Sequence, residues 1–307
     1  MIVDPNQVAA DVFAAAKTSV APIPSITAGP SVEYEVAGDT GKRALWVVFI
    51  IMLVATVIFS FISFSVPISK RLYHVITTMI VAFAALSYFA MASGDGISLH
   101  KNVITEEHKG KIPDTKTFVY REVYWARYVD WSLTTPLLLL DLALLAGLSG
   151  GNIVIAIVAD LIMVLTGLFA AFGKEESPSK WGWYAIACVA YLVIVWQLAI
   201  NARATAFGKG GKVGSFFASI AGFTLIVWTV YPYQVVWGVA DGARIASVDA
   251  EIISYAVLDV LAKPIFGAWL LYTHSALPET NIEVGGFWTH GVSGEGAIRV
   301  GDDDDGA

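Results

Sequence analysis

The sequence predicts an all-α membrane protein, a bundle of seven transmembrane helices, and three observations predict it. Of its 307 residues, 56% are hydrophobic, and the mean hydropathy of +0.66 is well above that of a soluble globular domain. Seven apolar stretches are long enough to cross about 30 Å of hydrocarbon. These stretches are continuous, whereas the strands of a membrane barrel alternate over about ten residues.

Residues 1–40 contain Pro5, Pro22, Pro24 and Pro30 and few large apolar side chains, and are expected to form a disordered N-terminal segment. Met1 is followed by neither a basic region nor an apolar core, so no cleavable signal of the usual kind is expected, and the first span directs insertion. Residues 41–276 form one helical domain, with spans at about 45–66, 73–92, 119–142, 150–172, 181–201, 213–238 and 250–275. The connections are short except for the polar residues 93–118, which are long enough to fold back as a hairpin. Residues 277–307 are a tail ending in GDDDDGA, a solvated acidic run that accounts for much of the net charge of −7. Cys188, the one cysteine, lies in a span and reads as a small buried hydrophobe; disulfides and cysteine metal sites are excluded, and no metal is expected. The lipid bilayer is the expected partner. Nucleic acid is not expected, and homo-oligomer formation is left open.

Orientation is not decided by charge. Lys70, Arg71, Arg203, Lys209 and Lys212 lie in one set of loops, and Lys101, Lys109, Lys111, Lys116, Arg121, Lys174, Lys180 and Arg244 in the other. Taken literally, the excess of cations in short cytoplasmic loops puts the amino terminus inside. Much of the second set, however, sits in the long connection beside compensating acids.

Lys263 in AVLDVLAKPIFGAWLL is the most informative residue, because an ammonium at membrane depth costs about 2.5 kcal/mol or more. Asp259 is four residues earlier, on the same helical face. A neutralised structural ion pair is one reading; a lysine that carries something covalently is the other. The third span adds Arg127, Asp130, Thr134 and Asp141 in REVYWARYVDWSLTTPLLLLDLALL. Eleven residues separate Asp130 from Asp141, a rotation within about 20° of alignment and a rise of about 16 Å, so the four groups form one polar stripe that must face the bundle interior. Two carboxylates so placed could be successive stations for a proton. Trp131, Trp228, Tyr231, Pro232 and Trp237 suit the walls of a pocket for a slender, flat, apolar ligand. Asp160 in the fourth span has a hydroxyl partner in Thr135, and that pair is expected to join two helices.

The segments RYVDWSLTTPLLLLD, ADLIMVLTGLFAAFG, WTVYP and LDVLAK resemble those of microbial rhodopsins, seven-helix retinal proteins. RLYHVITT, SYFAMASG, KWGWYAIA and EGAIRVG resemble the fungal branch. The likeness covers about residues 40–300. It implies that Lys263 binds all-trans retinal as a protonated Schiff base, with Asp130, Asp259 and Arg127 as its counterion complex. It also implies that photoisomerisation to the 13-cis form sends the Schiff base proton to Asp130, and that Asp141, kept protonated beside Thr77, returns one. Asp241 and Glu251 match the acidic pair near the exit. Trp131, Thr135, Leu138, Met163, Gly167, Trp228, Tyr231 and Tyr88 match positions of the retinal pocket or the counterion network. The family places the amino terminus outside, against the charge count, and implies a multi-pass plasma membrane protein. The sequence departs from the family at YPYQVVW, which has two extra residues before Trp237: either Trp237 leaves the pocket or a bulge in the sixth helix returns it.

The resulting expectation is a light-driven outward proton pump of bacteriorhodopsin type, an ion transporter or photoreceptor rather than an enzyme. A chloride pump would carry a neutral residue in place of Asp130. A slow-cycling fungal photosensory rhodopsin with little net transport is the alternative, and a receptor for a diffusible ligand predicts no colour and no essential lysine.

Overall fold

The computed structural model describes residues 31–108, 114–173, 177–237, 246–277 and 280, and for 232–237 the backbone alone. They divide into two units. The smaller consists of residues 31–33 and the described part of 103–118; within it Ser31 Oγ lies 2.7 Å from Thr117 Oγ1, and Thr115 Oγ1 donates to Glu106 Oε2 over 3.3 Å. The larger contains every helix.

Seven of these helices are long and apolar enough to cross a membrane: α1 Asp39–Phe64, α2 Leu72–Ser93, α3 Trp125–Ala146, α4 Gly150–Ala171, α5 Pro178–Gly208, α6 Gly211–Trp237 and α7 Val248–Ala276. Their ends follow local chemistry. Asp39 sits in the first turn of α1, where an anion complements the helix dipole. Gly94 (φ 92°) and Gly147 (φ 74°) end α2 and α3 in the left-handed conformation. Pro178 occupies the first turn of α5, and Ser247 caps α7 by accepting from Ala250 N at 3.3 Å. Phe61, Leu86 and Ile226 are 70%, 68% and 71% exposed, a distribution that suits helices with lipid as their solvent.

Three strands, β1 Ser31–Glu35, β2 Ser98–Glu106 and β3 Thr115–Val123, pair in the order β1-β3-β2. The long polar connection therefore does fold back, but two boundaries differ from the sequence reading. Residues 119–123, taken as the start of the third span, are strand: Val119, Arg121 and Val123 are buried with less buried residues between them, the alternation of a pleat. Residues 31–35, taken as disordered, pair with β3, and α1 begins at Asp39; residues 1–30 lie outside the description, as does nearly all of 277–307. No bulge interrupts the described backbone of α6 through Trp237. The π-helical turns lie instead in α5, at Gln197–Ala202, and in α7, at Leu261–Ile265.

The π-turn of α7 contains Lys263 and Pro264. Proline has no N–H to give the helix ladder, and the wider turn absorbs that loss where Lys263 turns inward. Gly267 lets α7 approach α2, since a methyl group there would collide with Thr77 Cγ2 and come within 2.9 Å of Phe59. Ser87 Oγ donates to Ala126 O at 2.9 Å and ties α2 to α3.

Candidate functional site

The stripe read on α3 is buried along its length: Arg127 and Asp130 are 2% exposed, Thr134 and Asp141 not at all. Pro136 interrupts the ladder of this helix, and the Thr134 and Thr135 hydroxyls donate back to Asp130 O and Trp131 O at 2.9 and 2.6 Å. Lys263, 2% exposed, meets Asp130 Oδ2 in a short contact and Asp259 Oδ1 at 3.2 Å. A lysine from α7 and carboxylates from α3 and α7 thus share one buried centre.

Asp259 is the better furnished of the two carboxylates. Tyr88 Oη donates to Oδ2 over 2.6 Å, and Tyr231 Oη and Trp131 Nε1 donate to Oδ1 over 2.8 and 3.3 Å. Such bonds favour a charged acceptor and fix its direction. On Asp130, Oδ1 is buried without a hydrogen-bond partner among the described residues.

Arg127 makes its direct bond to a further carboxylate. Its hydrogen-bonded ion pair is with Glu251 Oε1, at 3.3 Å, and its guanidinium lies 4.1 Å from the centre of the Tyr255 ring, so it bonds neither Asp130 nor Asp259. The physical reason is a second arginine. Arg121 from β3 binds Glu251 Oε2 at 3.0 Å and Glu35 Oε2 of β1 at 2.6 Å, so Glu251, itself 2% exposed, bridges the two cations. Burial works against the charge on Arg121, but Glu251 and Glu35 outweigh it and hold its guanidinium above the usual arginine range. Arg121 and Glu35 were missed because one was read as loop charge and the other as disordered chain. The alternation of β3 was the available signal. Asp241 lies outside the described residues, as does the side chain of Trp237.

Asp141 has one partner, Thr77, whose Oγ1 donates to Oδ2 over 3.3 Å; its other oxygen is buried without one among the described residues. The expected Thr135–Asp160 bond is present at 2.6 Å and joins α3 to α4.

A cavity of about 880 Å³, its mouth included, opens beside Lys263 and Asp259. Trp131, Thr135, Leu138, Met163, Gly167, Trp228 and Tyr231, all positions that the resemblance assigned to a pocket or counterion network, line it. Tyr88 lies behind Asp259. Tyr128, Tyr184, Tyr191, Tyr255 and Cys188 also line the cavity and were not foreseen, and Cys188 is half-buried rather than fully so. Trp131 stands edge-on to Tyr231, at 88° and 5.2 Å, an arrangement that fixes both rings. The cavity is lined largely by aromatic and apolar side chains, with an ammonium among its lining groups.

The chain matches a family model described as bacteriorhodopsin-like protein over residues 40–277. It is 51% identical to Opsin-1 of Neurospora crassa over 92% of both chains, and 38% identical to the opsin-like protein carO of Fusarium fujikuroi over 76% of this chain and 73% of that one. Among solved structures, the light-driven proton pump of Leptosphaeria maculans is 61% identical, with a TM-score of 0.78, covering 81% of this chain and all of that one. The light-driven proton pump of Coccomyxa subellipsoidea is 36% identical, with a TM-score of 0.70, covering 78% and all. Halorhodopsin, a light-driven chloride pump, is similar at 28% identity and a TM-score of 0.68, covering 80% of this chain and 99% of that one. The family match, the seven membrane-length helices and the lysine centre agree: the chain belongs to the bacteriorhodopsin-like proteins.

Proposed function

We propose that the protein is a light-driven outward proton pump that carries retinal on Lys263 as a protonated Schiff base. The observation that carries this reading is the pairing of Lys263 with Asp130 at an apolar cavity, with a second, nearly partnerless carboxyl, Asp141, about 16 Å along the same helix face.

The residues fit the group. Among the described residues Lys263 offers the one amine in the cavity lining, Trp131, Trp228 and Tyr231 offer flat walls, and the surface they present is otherwise almost wholly apolar, as a polyene requires. Bound there, retinal supplies light absorption and a change in the direction that the Lys263 nitrogen presents.

The chain's own residues handle the proton. Asp130 Oδ2, in contact with the Lys263 nitrogen, accepts its proton. Asp259 stays charged through its three donors and holds the nitrogen in place. Asp141, with a single hydroxyl for company, keeps its proton because a bare carboxylate at that depth has nothing to solvate it, and it resupplies the nitrogen from the far side. Glu251, held by Arg121 and Arg127, and Asp241 receive the proton at the exit. With the amino terminus outside, as in the family, this path from Asp141 to Asp130 runs outward across the plasma membrane. The names of the two light-driven proton pumps that the chain resembles support the same direction of reading.

Illuminating retinal-supplied cells that express the chain, with external pH recorded, tests it. Acidification that a protonophore abolishes is expected. A coloured protein that leaves the pH unchanged would replace the pump by a photosensor.

A further inference from the structure

At the end of the bundle away from Lys263 lies a second set of proton-bearing side chains that the pumping reading leaves unused. His74, in the first turn of α2, and His274, in the last turn of α7, are 4% and 6% exposed, and their ring centroids are 6.0 Å apart. Two imidazoles buried against each other at the same end of a transmembrane bundle are an expensive way to fill space.

Helix geometry sets their depth. α3 and α7 are odd-numbered spans and run in the same direction across the membrane. Asp130 to Asp141 and Lys263 to His274 are both eleven residues, about 16 Å of rise. Because Lys263 meets Asp130, His274 lies at about the depth of Asp141. On α2, Thr77 binds Asp141, and His74 is three residues nearer the α1–α2 connection, about 4.5 Å further from Lys263. His74 therefore lies on the side of Asp141 from which a new proton must come, and His274, 6.0 Å from it between ring centroids, at about the depth of Asp141 itself.

The local bonds assign the basic nitrogen of His274. Thr280 Oγ1 donates its hydrogen to Leu277 O at 2.7 Å, so its 2.6 Å contact with His274 Nδ1 uses the hydroxyl as acceptor and puts the ring proton on Nδ1. Nε2 is then the nitrogen able to take another. His74 Nδ1 is buried with no hydrogen-bond partner among the described residues. The groups facing the pair are few. Tyr73 packs its ring 4.7 Å from that of His274 and is itself within the field of Asp141. Lys70 and Arg71 are the nearby cations, and Arg71 is engaged with Val66 O at 2.7 Å.

We propose that His74 and His274 are the proton-loading pair of Asp141. A proton from the aqueous side near the α1–α2 connection binds an imidazole nitrogen and is handed across the pair. It then goes to the Asp141 carboxylate after that group has given up its own, leaving both rings neutral as before. The proposal rests on Asp141 being the internal donor.

The test is flash photolysis of the full-length, retinal-loaded protein in lipid nanodiscs from about pH 5 to about pH 9, comparing the unaltered chain with His74→Gln, His274→Gln, the double variant and Asp141→Asn. The unaltered chain should recover at a rate nearly independent of pH. The double variant, with its visible band intact, should recover roughly tenfold more slowly at neutral pH and in proportion to proton concentration, and added imidazole should restore the rate. Either single variant should fall between. A merely structural pair would change neither the pH profile nor the response to imidazole. A double variant with the wild-type rate and a flat profile, beside a slowed Asp141→Asn, would overturn the loading pair alone; an unchanged Asp141→Asn would overturn the donor reading as well. The unaltered protein gives a check that needs no variant: nitrogen NMR of the labelled imidazoles in the dark should show two rings titrating as a coupled pair, and two independent or non-titrating rings would contradict the proposal.

Discussion

Around Asp130, α3 meets a lysine and, through that lysine, a second carboxylate with three hydrogen-bond donors of its own; around Asp141, on the same face of the same helix, it meets one threonine. The residue type, the helix and the depth of burial are alike. The difference lies in what the neighbouring helices contribute. An adjacent ammonium stabilises a carboxylate, whereas a lone hydroxyl leaves it desolvated. The comparison teaches that one helix can hold two proton stations of opposite habit simply by presenting them to different partners.

The largest effects should come from removing the partner that makes the first region what it is. Lys263→Ala should abolish the visible band formed with added retinal; a persisting retinal-dependent band, read by absorption spectroscopy, would end the assignment. Asp130→Asn should shift absorption to the red and stop deprotonation of the Lys263 nitrogen, since counterion and acceptor are lost together, and an unshifted variant that cycles normally would contradict this. At the other end, Asp141→Asn should slow recovery by roughly a hundredfold, and more at high pH, because protons must then come from bulk water; flash photolysis gives the rate. Thr77→Val sharpens the contrast by stripping Asp141 of its single bond. Worth about 1 kcal/mol, that bond should change the recovery rate only severalfold and leave the absorption maximum in place. The smallest effect is expected for Glu35→Gln, whose partner Arg121 keeps Glu251: thermal stability should fall by no more than about 1 kcal/mol, and the visible change should be confined to the moment at which a pH dye detects the released proton.

Much of this was legible in the sequence, for a definite reason. A period of 3.6 residues placed Arg127, Asp130, Thr134 and Asp141 on one stripe, and the four-residue step put Asp259 beside Lys263; in a membrane, polar groups so aligned have nowhere to face but inward. What a helix period cannot supply is the partner on another element. The resemblance implied a counterion role for Arg127, but no helix period could show that it also pairs with Glu251, which Arg121 on β3 binds as well. β3 itself was misread because FVYREVYW is apolar enough to pass for the start of a span, although its buried residues alternate. Glu35 was invisible because β1 exists through pairing with β3. The π-turn at Leu261–Ile265 follows from Pro264 only once the turn's neighbours are known.

Time-resolved infrared spectroscopy of the carboxyl carbonyls tests the contrast between the two regions most directly. On illumination a carbonyl band should appear that Asp130→Asn removes, and later a different band, present in the dark and removed by Asp141→Asn, should be lost and regained. A single band abolished by either substitution, or an Asp141 with no carbonyl band in the dark, would contradict the account.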